Sequence, residues 1–258
     1  MAAPERPAPL AGELVLITRP VGRADELQAA LEAEGARVIH IPLLSIEPLA
    51  PDEPASAVLR RQLLELDRYD RVIAVSVNAV EQGMEAITGL WPQLPVGIRW
   101  YGIGAATAAA FARWDVAATS PGGAMTTEEL LALPDFADLN GERVLILRAD
   151  GGREAMATAM RERGATVDYA VCYRRCRLRP EAELAAALAQ QPTAVCLNSG
   201  DTLAAFVAAL PAPSAQWHDL RLVLPSERVA ELARAQGFRR ATAAVNAGTA
   251  ATLAALRS

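Results

Sequence analysis

Short apolar runs alternate along this chain with stretches whose apolar residues recur every three or four positions. ELVLIT (13–18) reads as a strand, and RADELQAALEAEG (23–35) reads as an amphipathic helix stopped at Gly35. RVIHIPLL (37–44) is a second strand. Further strand–helix pairs begin at RVIAVS (71–76), RWYGIG (99–104), RVLILR (143–148), TAVCLN (193–198) and LRLVLPS (220–226). Continuous apolar strands separated by helices predict an α/β fold with mainly parallel sheets and helices on their faces.

The pattern repeats. Residues 12–40 align without a gap onto residues 141–169, a shift of 129 with 11 of 29 positions identical, among them Gly12/Gly141, Arg19/Arg148, Gly22/Gly151 and Gly35/Gly164. Weaker echoes set VIAVSVNAV beside AVCLNSGDTL, pairing Ser76 with Ser199, and YGIGAATAAAFA beside LVLPSERVAELA. Two similar domains are expected, with a ligand site in the cleft at their junction. IPLLSIEPLAPDEP (41–54) and AVCYRRCRLRP (170–180) each prolong a strand and end in proline, so they read as a pair of linkers. Period-two alternation in the second puts Tyr173, Arg175, Arg177 and Arg179 on one face, with Cys172, Arg174 and Cys176 on the other.

Charge and composition then remove several classes. A net charge of −5 argues against a nucleic-acid binder. All 25 basic residues are arginine, which excludes a Schiff-base lysine and a P-loop lysine. Three cysteines without a CxxC pair do not form a disulfide framework. His40 and His218 have no partner at ligand spacing, so no metal is expected. No GxSxG elbow is present. With no apolar run of membrane-spanning length and no signal-type N-terminus, a cytoplasmic monomer without membrane contact is expected.

In parallel α/β sheets, ligands meet the loops that leave the carboxyl ends of strands and enter helix N-termini, where unpaired amides attract anions. Those loops here are TRPVG (18–22), SVNA (76–79), GIGAAT (102–107), RADGGR (148–153), NSGDT (198–202) and PSER (225–228). Helix capping alone explains any one of them. Six in a duplicated chain favour a polyanionic ligand, with Arg19, Gly104, Arg148, Ser226 and Arg228 among the candidates. GIGAAT also resembles a dinucleotide fingerprint, although Thr107 replaces its third glycine and no acidic residue follows at ribose-contact spacing.

LITRP, EGARVIHIPLLSIEP, SVNAV, IGAATAAAF, TEELLALP, RVLILRADGGRE and RGATVDYAVCYRR, in this order and spacing, resemble the uroporphyrinogen-III synthase family from Gly12 to Leu256. The resemblance implies two α/β domains joined by a two-stranded linker. The boundaries are then 12–40 plus 179–258 for the first domain, 51–169 for the second, 41–50 and 170–178 for the linkers, and 1–11 for a disordered tail. It implies cyclisation of hydroxymethylbilane to uroporphyrinogen III with loss of water and inversion of the last ring, and no cofactor. Tyr173 becomes the residue that assists the departing hydroxyl, while Ser76, Asn78, Thr107, Ser199 and Gly200 become contacts to substrate carboxylates. Val75 and Asn198 stand where threonine is common. PSER replaces a glycine–threonine loop, placing Pro225 at the glycine and Arg228 at the threonine. Two rivals remain open: a non-catalytic sensor of an anionic small molecule, and a nucleotide-dependent oxidoreductase.

Overall fold

The computed structural model describes residues 8–122, 127–151, 154–212 and 214–258. The chain divides into two compact units. Unit 1 runs through Ser45 and resumes at Cys176, and unit 2 is Ile46–Arg175. In chain order, β1 (Leu14–Ile17), α1 (Asp25–Ala33) and β2 (Arg37–His40) open unit 1, and β3 (Leu44–Pro48) crosses the division. Unit 2 continues with α2 (Pro54–Leu64), β4 (Arg71–Ala74), α3 (Val77–Thr88), β5 (Arg99–Gly102), α4 (Ala105–Ala110) and β6 (Ala118–Thr119). It ends with α5 (Thr127–Leu131), β7 (Arg143–Ala149) and α6 (Ala155–Glu162). The long β8 (Thr166–Arg177) recrosses the division. It leads to α7 (Glu181–Ala189), β9 (Ala194–Cys196), α8 (Gly200–Ala209), β10 (Arg221–Leu224), α9 (Glu227–Ala235), β11 (Arg240–Ala243) and α10 (Thr249–Arg257).

One sheet has the order β11-β10-β9-β1-β2 and the other β3-β8-β7-β4-β5-β6. Within them, β1 runs parallel to β2 and β9, and β7 runs parallel to β8 and β4. Superposing β1 on β7, β2 on β8, β9 on β4, β10 on β5 and β11 on β6 makes the two orders identical, with β3 added at the edge of the second. The repeat in the sequence is a repeat of the fold, entered by the chain at different strands. Each sheet reverses its strand order once, between β1 and β9 in unit 1 and between β7 and β4 in unit 2. At such a switch point neighbouring loops diverge and leave a crevice at the carboxyl ends of the strands.

The central strands β1, β9, β10, β4 and β7 are largely apolar because both faces of each sheet are covered. Leu16, Val195, Leu197 and Leu222 pack on one side of unit 1 with Leu184 of α7, Phe206 of α8 and Val229 of α9. Val15, Ile17, Ala194 and Val223 pack on the other with Leu27 of α1 and Leu256 of α10. Unit 2 repeats the scheme. Val72, Ala74, Leu145 and Leu147 meet Leu63 of α2 and Met84 of α3, while Ile73, Val144 and Ile146 meet Leu130 of α5 and Met160 of α6.

The matched glycines follow from backbone geometry. Gly22 and Gly151 hold φ of +73° and +71° in equivalent strand-to-helix loops, a region that a Cβ disfavours. Gly102 is required by packing, since a Cβ there would lie 2.4 Å from the Ala108 amide nitrogen. That close approach of strand and helix accounts for the first glycine of GIGAAT without a nucleotide.

Three sequence expectations need correction. Alternation along β8 breaks, because Arg148 pairs with Val171 but Ala149 pairs with Tyr173, so Cys172 is the extra residue of a bulge. Cys172 and Tyr173 therefore enter the same core instead of opposite faces. The equation of Arg228 with Thr107 also slips by one. Ala74 pairs with Gly102 and Cys196 with Val223, so Ser226 occupies the place of Gly104 and buried Val229 that of Thr107. Finally, part of the expected tail is ordered: Leu10 is 2% exposed, and its amide donates to the Glu34 carbonyl at 2.9 Å. Residues 1–7 of that tail, and Gly152 and Arg153 of RADGGR, lie outside the described residues.

Candidate active site

Ser76 ends the loop after β4 in extended conformation and caps α3, its Oγ accepting the Ala79 amide proton at 3.1 Å. Such a cap contributes about 1 kcal/mol. The same oxygen lies 3.0 Å from the hydroxyl of Tyr173, which the β8 bulge brings alongside β7 and leaves 3% exposed. The two hydroxyls share one proton-bearing contact, and each keeps capacity for a further partner. They sit on a cavity of about 240 Å³ at the unit 2 switch point, which Val75, Ile103, Arg148, Met156 and Tyr169 also line. Apolar walls with a few convergent polar groups are the usual form of a small-molecule site.

Arg148 reaches this cavity from the end of β7 and is 5% exposed. Its Nε donates to the Gly151 carbonyl at 3.0 Å, Nη1 contacts Glu154 at 3.3 Å, and its guanidinium lies 4.4 Å from the centre of the Tyr169 ring. The Tyr169 hydroxyl donates to the other Glu154 oxygen at 2.7 Å. Burial and that hydrogen bond hold the Tyr169 phenol above its ordinary range. The same bond, followed by the charge of Arg148, holds the Glu154 carboxyl below its own.

Asn78, Gly104 and Thr107 lie outside the lining of this cavity. Asn78 is in the first turn of α3 with a buried Oδ1 that has no hydrogen-bond partner among the described residues. Gly104 caps α4, and Thr107 is buried in its first turn. Tyr169 and Arg175 line the cavity without having been singled out for chemistry. Arg175 was recognisable from its position two residues beyond Tyr173, and Tyr169 from closing the second repeat where His40 closes the first.

The unit 1 switch point is built differently. Arg19 donates to the Ala247 carbonyl at 2.6 Å, and its own carbonyl is 2.7 Å from His40 Nε2. Burial lowers the pKa of its guanidinium. The cavity beside it measures only about 10 Å³ and is lined by Asn198, whose Oδ1 is also buried without a partner among the described residues. Ser199 caps α8 through a reciprocal box with Thr202: Oγ accepts the Thr202 amide at 3.1 Å, and Thr202 Oγ1 accepts the Ser199 amide at 2.9 Å. Gly200 opens that helix, Ser226 caps α9 without a side-chain bond, and Arg228 is exposed in its first turn.

Ser76, Gly104, Ser199 and Ser226 share one geometry, extended with φ of −167°, −137°, −164° and −169° directly before a helix. Each loop presents first-turn amides without intrahelical acceptors and the positive end of a helix dipole. Each such loop, taken by itself, suits a carboxylate. Among the described residues no group of three His, Cys, Asp or Glu side chains is placed to hold a metal ion. Cys172 and Cys196 are buried thiols pushed up to about 12, which removes them as nucleophiles.

The profile of the family described as Uroporphyrinogen-III synthase HemD matches residues 25–254. The uroporphyrinogen-III synthase of Escherichia coli K12 is 32% identical over 257 residues, spanning 94% of this chain and 99% of that one. This chain belongs to the uroporphyrinogen-III synthase family. The synthase of Proteus mirabilis is 36% identical over 162 residues, covering 62% of this chain and 79% of the relative. A solved structure of a mutant uroporphyrinogen III synthase from the extreme thermophile Thermus thermophilus shares the fold, with a TM-score of 0.58, 18% identity and coverage of 88% and 90%. The Helicobacter pylori 26695 enzyme gives 0.57, 15%, and 94% and 96%. The sensor and oxidoreductase readings find no support among these relatives.

Proposed function

We propose that this chain, as a uroporphyrinogen-III synthase, cyclises hydroxymethylbilane to uroporphyrinogen III, with the Ser76–Tyr173 hydroxyl pair assisting departure of the substrate's hydroxyl group. The observation that carries the site assignment is the 3.0 Å contact between those hydroxyls on the lining of the unit 2 cavity.

The linear substrate carries eight carboxylates. The helix-capping loops at Ser76, Gly104, Ser199 and Ser226 supply amide donors for them, with Gly200 admitting close backbone approach and Asn78, Thr107, Asn198, Arg19 and Arg228 adding side chains. A hydrogen bond from Tyr173 favours departure of the hydroxyl group as hydroxide, expelled by the electron-rich first pyrrole, which becomes a cationic azafulvene. The hydroxide takes up the proton released when the pyrrole is restored, so that water is the net product. The terminal pyrrole attacks this centre through its substituted carbon, giving a spiro intermediate that fragments and recloses with that ring inverted. Loss of a proton restores the pyrrole. A free phenol has a pKa of about 10, so Tyr173 assists the leaving group by hydrogen bonding without transferring its proton outright. The protein's larger contribution is to hold the chain ends so that the crowded carbon attacks first.

Supplying fresh hydroxymethylbilane and separating the oxidised porphyrins tests the activity. The type III isomer in excess over the uncatalysed type I product is expected, and type I alone would end the assignment. No described helix is long and apolar enough to cross a membrane. We read the protein as a cytoplasmic monomer that binds neither nucleic acid nor membrane. A single sedimenting species of 27.3 kDa is the expected result.

A further inference from the structure

We infer that Glu154 is a resident placeholder for a substrate carboxylate, held by Arg148 and Tyr169 and displaced when the tetrapyrrole binds. This rests on the proposed function and deepens it by naming one carboxylate subsite and what occupies it beforehand.

The Arg148 and Glu154 side chains are 6% and 62% exposed. A cation so deeply buried needs a counter-charge, and here an exposed acidic side chain supplies it. The Glu154 carboxylate spans two donors, Arg148 Nη1 at 3.3 Å and the Tyr169 hydroxyl at 2.7 Å. Both donor residues line the 240 Å³ cavity, whereas Glu154 does not. The donors thus belong to the cavity wall, while their acceptor reaches them from outside it. Glu154 precedes α6 without bonding to the helix it could cap, so its side chain is given over to these two groups. Nε and Nη2 of Arg148 are anchored on the Gly151 carbonyl, which keeps the guanidinium in place if Glu154 leaves.

A carboxylate on the substrate has the same charge and the same two-oxygen geometry as Glu154. It competes for both donors, and the released Glu154 swings into solvent. Only a ligand bringing a carboxylate to this point regains the interaction that is lost. Neutral or singly anchored molecules are discriminated against, and part of the substrate's binding energy is spent on the exchange.

Steady-state kinetics of Glu154→Gln with hydroxymethylbilane test this. Glutamine keeps an acceptor for Tyr169 but removes the competing charge, so KM falls roughly two- to fivefold, the worth of a partly exposed ion pair, and kcat moves less. A KM that is unchanged or raised, with a wild-type melting profile, overturns the inference. If the variant does not fold, the wild-type protein still decides: the Glu154 carboxyl-carbon NMR resonance should move toward that of exposed glutamates on saturation with uroporphyrin III. A resonance unmoved at saturation overturns the inference. Wild-type protein that yields only the type I isomer would fail the proposed function instead, so the two failures are told apart.

Discussion

The two units share strand order, repeat glycines and helix-capping loops, yet their switch points have diverged in what the cap serine does. In unit 1, Ser199 is closed on itself by the reciprocal box with Thr202, beside a cavity of about 10 Å³. In unit 2, the equivalent Ser76 caps its helix but also meets Tyr173, beside a cavity of about 240 Å³. The arginines differ in parallel. Arg19 rests on a backbone carbonyl, and Arg148 is buried against Tyr169 with Glu154 as counter-charge. Duplication supplied the same scaffold twice, and one extra hydroxyl delivered by a bulged strand separates a helix cap from a group able to assist chemistry.

The largest asymmetry should appear in stability. Arg148→Ala removes a buried cation, its ring contact and its bonds to Gly151, and should cost about 3 kcal/mol in urea unfolding. Arg19→Ala, which loses mainly one backbone contact, should cost about 1 kcal/mol. Equal losses would mean that the two arginines are interchangeable. Next, Ser76→Ala and Ser199→Ala should each cost about 1 kcal/mol as lost caps, but only the first should lower kcat several-fold. A matching kcat loss in Ser199→Ala would spread the chemistry over both units.

A smaller contrast lies in acid sensitivity. The Arg71 hydrogen bond, with help from Arg99, holds the Glu142 carboxyl in unit 2 below its ordinary range. The stabilisation is complete above the unfolded value of about 4.3 and is lost as pH falls through the lower folded value. In unit 1, Glu34 is held down in the same direction by Arg257. Because Arg71 is 1% exposed and Arg257 48%, Glu142→Gln should flatten the acid limb of a stability-versus-pH curve more than Glu34→Gln does. Smallest is the thiol test. With Cys172 and Cys196 buried and their acidity suppressed, only the partly exposed Cys176 should react with a thiol reagent in the native protein. Rapid labelling of Cys172 would mean that the β8 bulge opens.

The sequence made the central strands legible because each is a short apolar run, and the duplication legible because glycines and strand residues recur at one spacing. It did not show β6 or β11. The first has two residues and the second is RATA, so neither carries an apolar run. The bulge at Cys172 was hidden because period-two alternation assumes unbroken pairing, and the mismatch exists only against the partner strand. The slip between Thr107 and Arg228 has the same origin: similar segments align equally well one residue apart until sheet register fixes them. For the site, Ser76 and Tyr173 were legible through family resemblance, while their mutual contact was not. Tyr169 was marked only by closing the second repeat, and Glu154 escaped because an exposed acid has no signature until the buried arginine beside it is seen.

The most direct test of the unit 2 assignment is single-turnover cyclisation by Tyr173→Phe. The account predicts that the type III isomer still forms, about tenfold more slowly, the worth of one hydrogen bond, with the fold intact. Wild-type turnover by that folded variant would contradict it and leave Tyr173 as a packing residue.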